Sequence, residues 1–185
     1  MKDQVDFLQK KCKKSDRQRT YMLTRSYQVK IQDIYSQIET ERGGLASIHT
    51  SFSEFPGGIY AHYQFYKSIM LEDGLPLERA DREFLAVEVS KANSCPYCIA
   101  HHSEALKNTQ TQVDTTKLRT LSSLAEILTK MPWKASALHP DFLASGFTEA
   151  QWQHAIMVVS YFNFVNRCAH ARGLEIESHF ASTCS

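Results

Sequence analysis

The sequence predicts an all-α fold on three observations. Apolar side chains recur every three to four residues through most of the chain, which is the period of a helix face. Glycine and proline residues fall between these stretches, where helices begin and end. No stretch of useful length alternates apolar and polar residues as a half-buried strand does, and no heptad pattern or internal repeat is visible.

Four helices are predicted in the first half of the chain. The first covers about residues 29–38 and ends at Gly43, and the second covers about 59–70, after a proline and two glycines. A third is predicted over about 77–92, and a fourth over about 95–107.

Three more helices are predicted in the second half. One covers 116–130 and is closed by a proline, and a short one covers about 139–144. Thr148 and Gln151 have the spacing of a capping box, which predicts the start of a long helix that ends at Gly173.

Length and charge predict one folded domain with a basic extension. The chain has 185 residues and a net charge of +1, which does not favour a dedicated nucleic-acid binder. Residues 1–26 carry eight Lys or Arg and three Asp, a balance of +5, and the remainder carries 13 Lys or Arg and 17 Asp or Glu, a balance of −4. We interpret 1–26 as a solvated N-terminal extension and 27–185 as the helical domain. The alternative, contact of the extension with nucleic acid or an anionic surface, lacks interleaved aromatic residues.

The sequence also predicts the compartment. No apolar run approaches the roughly 20 residues that span a bilayer, and the N-terminus lacks the apolar core of a signal peptide. We therefore expect a cytoplasmic protein that binds neither membrane nor nucleic acid. In that compartment, cysteine pairs are more often catalytic or metal-binding than structural.

Only two of the five cysteines lie close together. Cys95 and Cys98 form a Cys-Pro-Tyr-Cys motif, whereas Cys12 and Cys184 lie near the termini and Cys168 lies within an apolar helical pattern. We expect structural or incidental roles for the last three, so the motif is the candidate site.

Helical geometry places a histidine beside this motif. At about 100° per residue from Cys95, Cys98 lies at about 300° and His102 at about −20°, so these three share one stripe. His101, at about −120°, turns away from Cys95. Both sulfurs lie in the first helical turn, where unpaired N–H groups and the helix dipole favour the reactive thiolate. His102 is therefore the predicted proton partner of a redox-active pair.

The motif also fits two roles that involve no redox chemistry. The cysteines could be packed structural residues, or Cys95, Cys98 and His102 could bind zinc with a distant fourth ligand such as His170. Because the chain has no second pair of metal-binding residues at the usual spacing, we expect no metal.

Two glutamates precede the motif on the predicted third helix. Glu83 faces a small, nearly neutral stripe, where burial would raise its pKa and allow it to shuttle protons. The alternative is an exposed ion pair with Arg79, four residues earlier. Glu88, three residues before Lys91, is expected to be an ordinary surface charge.

The run from Glu83 through Cys95-Pro-Tyr-Cys98 to His102 resembles the core of the alkylhydroperoxidase D / carboxymuconolactone decarboxylase family. The resemblance extends over about residues 27–176 and is strongest to a branch of peroxidase-related proteins. It implies an all-helical domain that assembles into homo-oligomers, often trimers, and a cofactor-free peroxidase or thiol–disulfide activity.

The resemblance also implies roles for these residues. Cys98 would attack the hydroperoxide, and Cys95 would convert the resulting sulfenic acid to a disulfide. His102 and Glu83 would form the proton relay. An external dithiol, such as a lipoyl group on a partner protein or a thioredoxin-like protein, would then reduce the disulfide.

Tyr97 and His101 are accessory candidates. Tyr97 stands where the best-studied members of the family carry a further histidine. A phenol with an unperturbed pKa near ~10 cannot act as a base near neutral pH, although it can donate a hydrogen bond. The relay is therefore expected to be shorter in this chain.

The leading functional hypothesis is a thiol-dependent peroxidase that reduces hydroperoxides. One rival is a thiol–disulfide oxidoreductase without significant peroxidase turnover. The second rival is a redox-sensing or purely structural helical oligomer.

Further features permit more than one interpretation. The aromatic-rich segment 52–66 fits a subunit interface or ordinary core. A polar face of the last helix that includes Asn163 and Asn166 could lie between subunits or line the thiol pocket. Histidines outside the motif, including His49 and His62, are expected to be core or surface residues.

Overall fold

The computed structural model describes residues 30–109 and 114–183, and these form eight α-helices and no strand. In chain order the helices are α1 Ile31–Arg42, α2 Ser47–Thr50, α3 Pro56–Tyr66, α4 Arg79–Ala92, α5 Pro96–Asn108, α6 Thr115–Lys130, α7 His139–Ala144 and α8 Glu149–Arg172. The predicted all-α class is confirmed.

Three shorter segments supplement these helices. A π-helix, Lys67–Leu71, continues α3, and 3-10 helices cover Pro132–Leu138 and Phe180–Thr183. All seven predicted helices occur, and most of their ends lie within a few residues of the predicted ones. The prediction did not include α2, because a helix of four residues is too short to show a period.

The ends of the longest helix follow the predicted chemistry. The Gln151 N–H donates to the Thr148 hydroxyl at 3.3 Å, and the Thr148 N–H donates to the Gln151 side chain at 2.8 Å. Both halves of a capping box are therefore present at the start of α8. Gly173 ends the helix in the left-handed region, with φ of 58°, which glycine adopts without strain.

The π-helix has its carbonyl groups satisfied from neighbouring elements. His154 Nε2 donates to the Ile69 carbonyl at 2.9 Å, and the Arg82 guanidinium donates to the Met70 carbonyl at 2.9 Å. A widened turn leaves carbonyls without their usual i+4 partners, so these two side chains stabilise the departure from α-helical geometry.

Helix α4 lies at the centre of the molecule. It packs against α5, α6 and α8 and buries apolar side chains such as Leu85 and Val89. Burial of each such side chain contributes about 1.5–3 kcal/mol. The same helix also buries Arg82 and Glu83, so it brings charge into the core next to the Cys-Pro-Tyr-Cys helix, α5.

Some predictions fall on residues outside the described ranges. The basic extension 1–26 and both terminal cysteines, Cys12 and Cys184, lie there, and the boundary at residue 27 stays a prediction. Cys168 is partly buried against the core, as expected for a packed residue. Within 30–109 and 114–183, none of the helices combines the length and the apolar character needed to cross a bilayer.

Candidate functional site

The turn between α4 and α5 positions the thiols. Ser94 has φ of 54°, and within the described ranges it is the only non-glycine residue with positive φ. This conformation costs about 1–2 kcal/mol for a residue with a Cβ. It makes Cys95 the N-cap of α5, where its N–H donates to the Ser90 carbonyl at 2.9 Å, and Pro96 follows in the first turn. Cys98 then lies among the unpaired N–H groups of the helix start.

The two motif thiols are reduced, buried and hydrogen-bonded to each other. Cys95 is 1% exposed and Cys98 is 2% exposed. The hydrogen bond from Cys98 lowers the pKa of Cys95 to about 6; burial opposes this shift, and backbone N–H groups of Cys98 and Tyr97 add to it. The same hydrogen bond, together with burial, raises the pKa of Cys98. In the reduced pair the negative charge therefore lies on Cys95, and Cys98 holds the shared proton.

Asn166 connects this pair to α8. It is fully buried, donates to the Ser90 hydroxyl at 3.1 Å and accepts a hydrogen bond from the Asn93 amide at 3.0 Å. A hydrogen bond from Asn166 also lowers the pKa of Cys98, although less than the neighbouring thiol and burial raise it. Of the two places considered for this helix face, the structure favours the thiol pocket for Asn166.

Glu83 is buried between a histidine and an arginine. Its side chain is 0% exposed; its Oε2 lies 2.7 Å from His102 Nδ1, and its Oε1 accepts from Arg79 Nε at 2.8 Å. Burial raises the pKa of Glu83, but the charge and hydrogen bond of His102 and those of Arg79 outweigh burial and lower it. Glu83 thus combines the two alternatives that the sequence left open, since it is buried and also pairs with Arg79. The rise in pKa that burial alone would cause does not occur, because His102 and Arg79 both contact the carboxylate. Glu83 is therefore ionised near neutral pH, and it orients His102.

Glu88 has the surface role that the sequence predicted. It pairs with Lys91 at 2.9 Å and accepts a hydrogen bond from the Ser122 hydroxyl. It lies on the same helix as Glu83 without contacting the thiols or either histidine of the motif.

Tyr97 and His101 are held by a carboxylate that the sequence did not indicate. Glu177, which follows α8, accepts from the Tyr97 hydroxyl at 3.0 Å and lies 2.9 Å from His101 Nε2. The Tyr97 hydroxyl also accepts from the Ile48 N–H at 3.2 Å. Burial raises the pKa of Tyr97 above its ordinary value, so this phenol acts as a hydrogen-bond donor and not as a base.

The Glu177 carboxylate is strongly stabilised in its charged form. Burial raises its pKa, but hydrogen bonds from Ser47, from its own backbone and from His101 outweigh burial and lower the pKa to about 2. The segment after α8 thus forms a second His–Glu pair, next to the His102–Glu83 pair. Nothing in the sequence around Glu177 signals this contact, because it depends on where the chain turns after Gly173.

A small cavity reaches Cys98. It has a volume of about 30 Å³, and its lining includes Tyr97, Cys98, His101 and His102. That volume accommodates one small molecule. Cys95 is not among the described residues that line it.

Residues far from the motif complete the cavity wall. They are Arg42 from α1, His49 from α2, His62 from α3 and Tyr161 from α8. No sequence motif marks them, since their proximity to Cys98 arises only when α1, α2, α3 and α8 pack around α5.

A metal centre has no counterpart in the described parts of the chain. No group of three or more His, Cys, Asp or Glu side chains gathers there in an arrangement that could hold a metal ion. His170, considered as a fourth zinc ligand, instead donates from Nε2 to the Asn93 carbonyl at 3.0 Å.

The fold is similar to that of peroxidase-related proteins. An uncharacterized peroxidase-related protein from Ralstonia eutropha JMP134, described as an alkylhydroperoxidase AhpD core, aligns with a TM-score of 0.72 and 20% identity, over 81% of this chain and 86% of that one. A peroxidase-related protein from Silicibacter sp. TM1040 aligns with a TM-score of 0.71 and 20% identity, over 83% and 88%.

A debrominase shares the fold more distantly. Debrominase Bmp8 aligns with a TM-score of 0.59 and 19% identity, over 83% of this chain and 89% of that one. At such identities the likeness shows a common fold and leaves the reaction open.

Sequence comparison adds the family. No curated protein sequence matches the chain significantly. Residues 61–140, which contain Glu83, both motif cysteines and both adjacent histidines, match the model of the carboxymuconolactone decarboxylase family. This match, over 80 of the 185 residues, supports the family predicted from the sequence, the alkylhydroperoxidase D / carboxymuconolactone decarboxylase family.

Proposed function

We propose that this protein is a cofactor-independent thiol peroxidase that reduces hydroperoxides through Cys98 and Cys95. The observation that carries the proposal is the small cavity that Cys98 shares with His102, whose Nδ1 lies against the buried Glu83 carboxylate. A thiol, a neighbouring thiolate and an oriented imidazole are the groups that two-electron reduction of a peroxide needs.

The first step oxidises Cys98. Its proton passes to Cys95 along the hydrogen bond between the two sulfurs, which leaves Cys98 as the thiolate. The Cys98 sulfur then attacks one oxygen of the hydroperoxide, the O–O bond breaks, and its electron pair leaves with the other oxygen. This leaving oxygen takes a proton, which His102 in the cavity lining would supply. The products are a sulfenic acid on Cys98 and water or an alcohol.

The second step forms the disulfide. The Cys95 sulfur, already in hydrogen-bond contact with Cys98, attacks the sulfenic sulfur, and the S–O bond breaks. The proton that Cys95 took from Cys98 passes to the departing hydroxide, which leaves as water. Two thiols and one hydroperoxide thus give one disulfide, one water and one alcohol or second water. An external dithiol, a lipoyl group or a thioredoxin-like protein, would restore both thiols by exchange.

The reverse assignment of the two cysteines has one observation in its favour. Because the pKa of Cys95 is lowered to about 6, Cys95 carries the larger thiolate fraction in the reduced pair. We assign the attack to Cys98 because it lines the cavity through which a peroxide would arrive. Separate serine variants decide between the assignments.

Peptide mapping after oxidation tests the proposal. Reduced protein is mixed with about one equivalent of hydroperoxide, and we expect wild type to lose both motif thiols to one Cys95–Cys98 link. Cys95→Ser should stop at a sulfenic acid on Cys98 that a dimedone-type reagent traps, and Cys98→Ser should react slowly. Cys168→Ser, which alters a cysteine outside the motif and outside the cavity lining, is the matched control and should behave as wild type.

Each outcome of this experiment has a distinct meaning. Rapid sulfenic acid on Cys95 in Cys98→Ser would reverse the roles of the two cysteines. Wild-type thiols that stay reduced would refute the peroxidase proposal and leave the thiol–disulfide or sensing role.

The debrominase likeness supports a second reaction less well. One structure of Bmp8 is a complex with 2,3,4-tribromopyrrole, and it aligns with a TM-score of 0.56. The cavity at Cys98, about 30 Å³, cannot hold a brominated ring without rearrangement. Only a small hydroperoxide matches that volume.

We also propose the setting in which the site works. A reducing compartment such as the cytoplasm supplies the dithiols that the cycle requires. A homo-oligomer is supported by exposed apolar side chains on α8, with Met157 46% and Phe164 51% exposed.

A further inference from the structure

The cavity at Cys98 has a polar wall that the proposed mechanism does not use. His49, His62 and Tyr161 line it together with Arg42, and none of them belongs to the Cys-Pro-Tyr-Cys helix. Each is buried or nearly so; His49 is 2% exposed and Tyr161 3%. Buried polar groups around a void are the usual lining of a site for a small polar molecule.

Both histidines of this wall are neutral near physiological pH. Burial, followed by the positive charge of Arg42, lowers the pKa of His62 to about 4. Burial, again followed by Arg42, lowers the pKa of His49 well below its usual value. A neutral imidazole has one N–H donor and one acceptor nitrogen, so each ring can both donate and accept a hydrogen bond.

The two rings differ in how their nitrogens are engaged. His62 Nε2 is joined to the Tyr161 hydroxyl by a hydrogen bond of 2.7 Å. His49 Nδ1 is buried and makes no hydrogen bond of ordinary geometry within residues 30–109 and 114–183; the Ala46 backbone nearby has only the smallest of the effects on the pKa of this ring. A buried polar atom without a partner destabilises the folded protein unless a small molecule satisfies it. A cavity of about 30 Å³ lies beside this ring and has room for such a molecule.

We propose that His49 binds hydrogen peroxide in this cavity and that the site selects hydrogen peroxide over bulky organic hydroperoxides. The proposal rests on the peroxidase function proposed above and names its substrate. Selection follows from volume, since a cumyl or tert-butyl group exceeds the space beside Cys98. Binding follows from the imidazole, which can bond either the O–H or the lone pairs of the peroxide.

The residues of this polar wall form and break no covalent bond in the reaction. The Cys98 thiolate attacks the nearer peroxide oxygen, the O–O bond breaks, and the pair of electrons goes to the farther oxygen, which leaves as hydroxide. His49 holds that farther oxygen by a hydrogen bond, and the leaving hydroxide becomes water with a proton from the His102 relay. Sulfur is oxidised by two electrons and the peroxide is reduced by two.

Single-turnover kinetics test this inference. Reduced wild type and His49→Ala are each mixed with hydrogen peroxide and with cumene hydroperoxide, and the second-order rate of Cys98 oxidation is measured by quenching and mass spectrometry. We expect wild type to react with hydrogen peroxide at least about tenfold faster than with cumene hydroperoxide. His49→Ala should lose about tenfold with hydrogen peroxide, the effect of one hydrogen bond, and should not lose rate with cumene hydroperoxide.

Two controls separate peroxide binding from effects on the thiol or the fold. His139→Ala removes a partly exposed histidine that does not line the cavity, and it should leave both rates unchanged. Alkylation of Cys98 by iodoacetamide should be equal in wild type and His49→Ala, because His49 acts on the peroxide and not on the sulfur. His49→Gln, which keeps a hydrogen-bonding side chain, should recover most of the hydrogen peroxide rate.

Failure of the inference differs from failure of the proposed function. Equal wild-type rates with both peroxides would overturn the selection, even if every His49 variant failed to fold. A His49→Ala variant with the wild-type hydrogen peroxide rate would overturn the binding role. Wild-type thiols inert to both peroxides would instead refute the peroxidase function itself.

Discussion

At the scale of single residues, the site depends on how a buried carboxylate is partnered. Glu83 has no exposed surface, yet its pKa is lowered, because His102 and Arg79 offset the burial that would otherwise raise it. A carboxylate that stays ionised fixes the His102 ring through Nδ1 and leaves the other ring nitrogen for proton transfer.

Replacement of this carboxylate tests its role. Glu83→Gln is expected to slow the reaction of Cys98 with peroxide by about 10- to 100-fold, because a neutral amide neither orients nor stabilises a protonated His102. The stability should fall by about 1–3 kcal/mol, since one buried hydrogen bond is lost or mismatched. Stopped-flow oxidation and urea unfolding measure the two effects.

A carboxylate on the same helix provides the control. Glu88→Gln removes a charge that pairs with Lys91 at the surface, and its rate should stay within about twofold of wild type. Equal rate losses in both variants would show that the effect comes from helix charge and not from the His102 contact.

The sequence predicted these residues unevenly. Cys95, Cys98 and His102 could be grouped because one helix places them on one stripe, and the structure brings Glu83 to His102 as the family resemblance implied. The direction of the Glu83 pKa could not be predicted, because it depends on whether Arg79 reaches the carboxylate inside the pocket. His49 joins the cavity through tertiary packing, which local patterns do not encode.

At the scale of elements, the segment after α8 supports the site. Glu177 holds Tyr97 and His101, and Thr183 in the last 3-10 helix accepts a hydrogen bond from Arg42 at its carbonyl, at 2.7 Å. Helix positions were predictable from periodicity and caps, as the Thr148 capping box shows. The course of the segment after α8 was not predictable, since its sequence has no helical periodicity.

The charged form of Glu177 predicts a pH dependence. Its pKa is lowered from 4.5 to about 2 in the folded state, so its stabilising contribution is complete above 4.5 and is lost as the pH falls towards 2. Glu177→Gln should therefore destabilise the protein by about 1–2 kcal/mol near neutral pH. The difference from wild type should shrink steadily at lower pH.

Urea unfolding at several pH values measures this dependence. Glu175→Gln, two residues earlier and exposed, is the matched control and should change stability by less than about 0.5 kcal/mol at every pH. A Glu177→Gln deficit that persists undiminished at about pH 2–3 would show that shape, and not charge, makes the contribution.

At the scale of the whole molecule, one central helix organises the fold and the site. Because α4 packs against α5, α6 and α8, the thiols, the His102–Glu83 pair and the Asn166 contact are held by one set of packed helices. The aromatic segment 52–66 serves more than one purpose, since Tyr63 and Tyr66 are buried whereas Phe55 is 50% exposed. Sequence alone could not separate core from surface there, because both require the same residue types.

The proposed homo-oligomer gives a direct prediction. Light scattering during size exclusion should report a mass that is a multiple of 21.1 kDa. Met157 and Phe164 lie two helical turns apart on α8 and face the same side, so Met157→Glu should shift the mass towards the monomer. Arg119→Glu, which reverses the charge of an exposed residue on α6, should leave the mass unchanged. A wild-type mass equal to one chain would refute the assembly.

The size of the Cys98 cavity would also limit damage to the proposed peroxidase. Overoxidation of a sulfenic acid to a sulfinic acid requires a second peroxide at the same sulfur. The oxygen newly bound to Cys98 would occupy the space that the first peroxide used, about 30 Å³ in all, while the Cys95 sulfur is already within reach. Formation of the Cys95–Cys98 disulfide would then be faster than irreversible oxidation of Cys98. The Cys98 sulfur should therefore resist an excess of peroxide that would inactivate an open, solvent-facing cysteine.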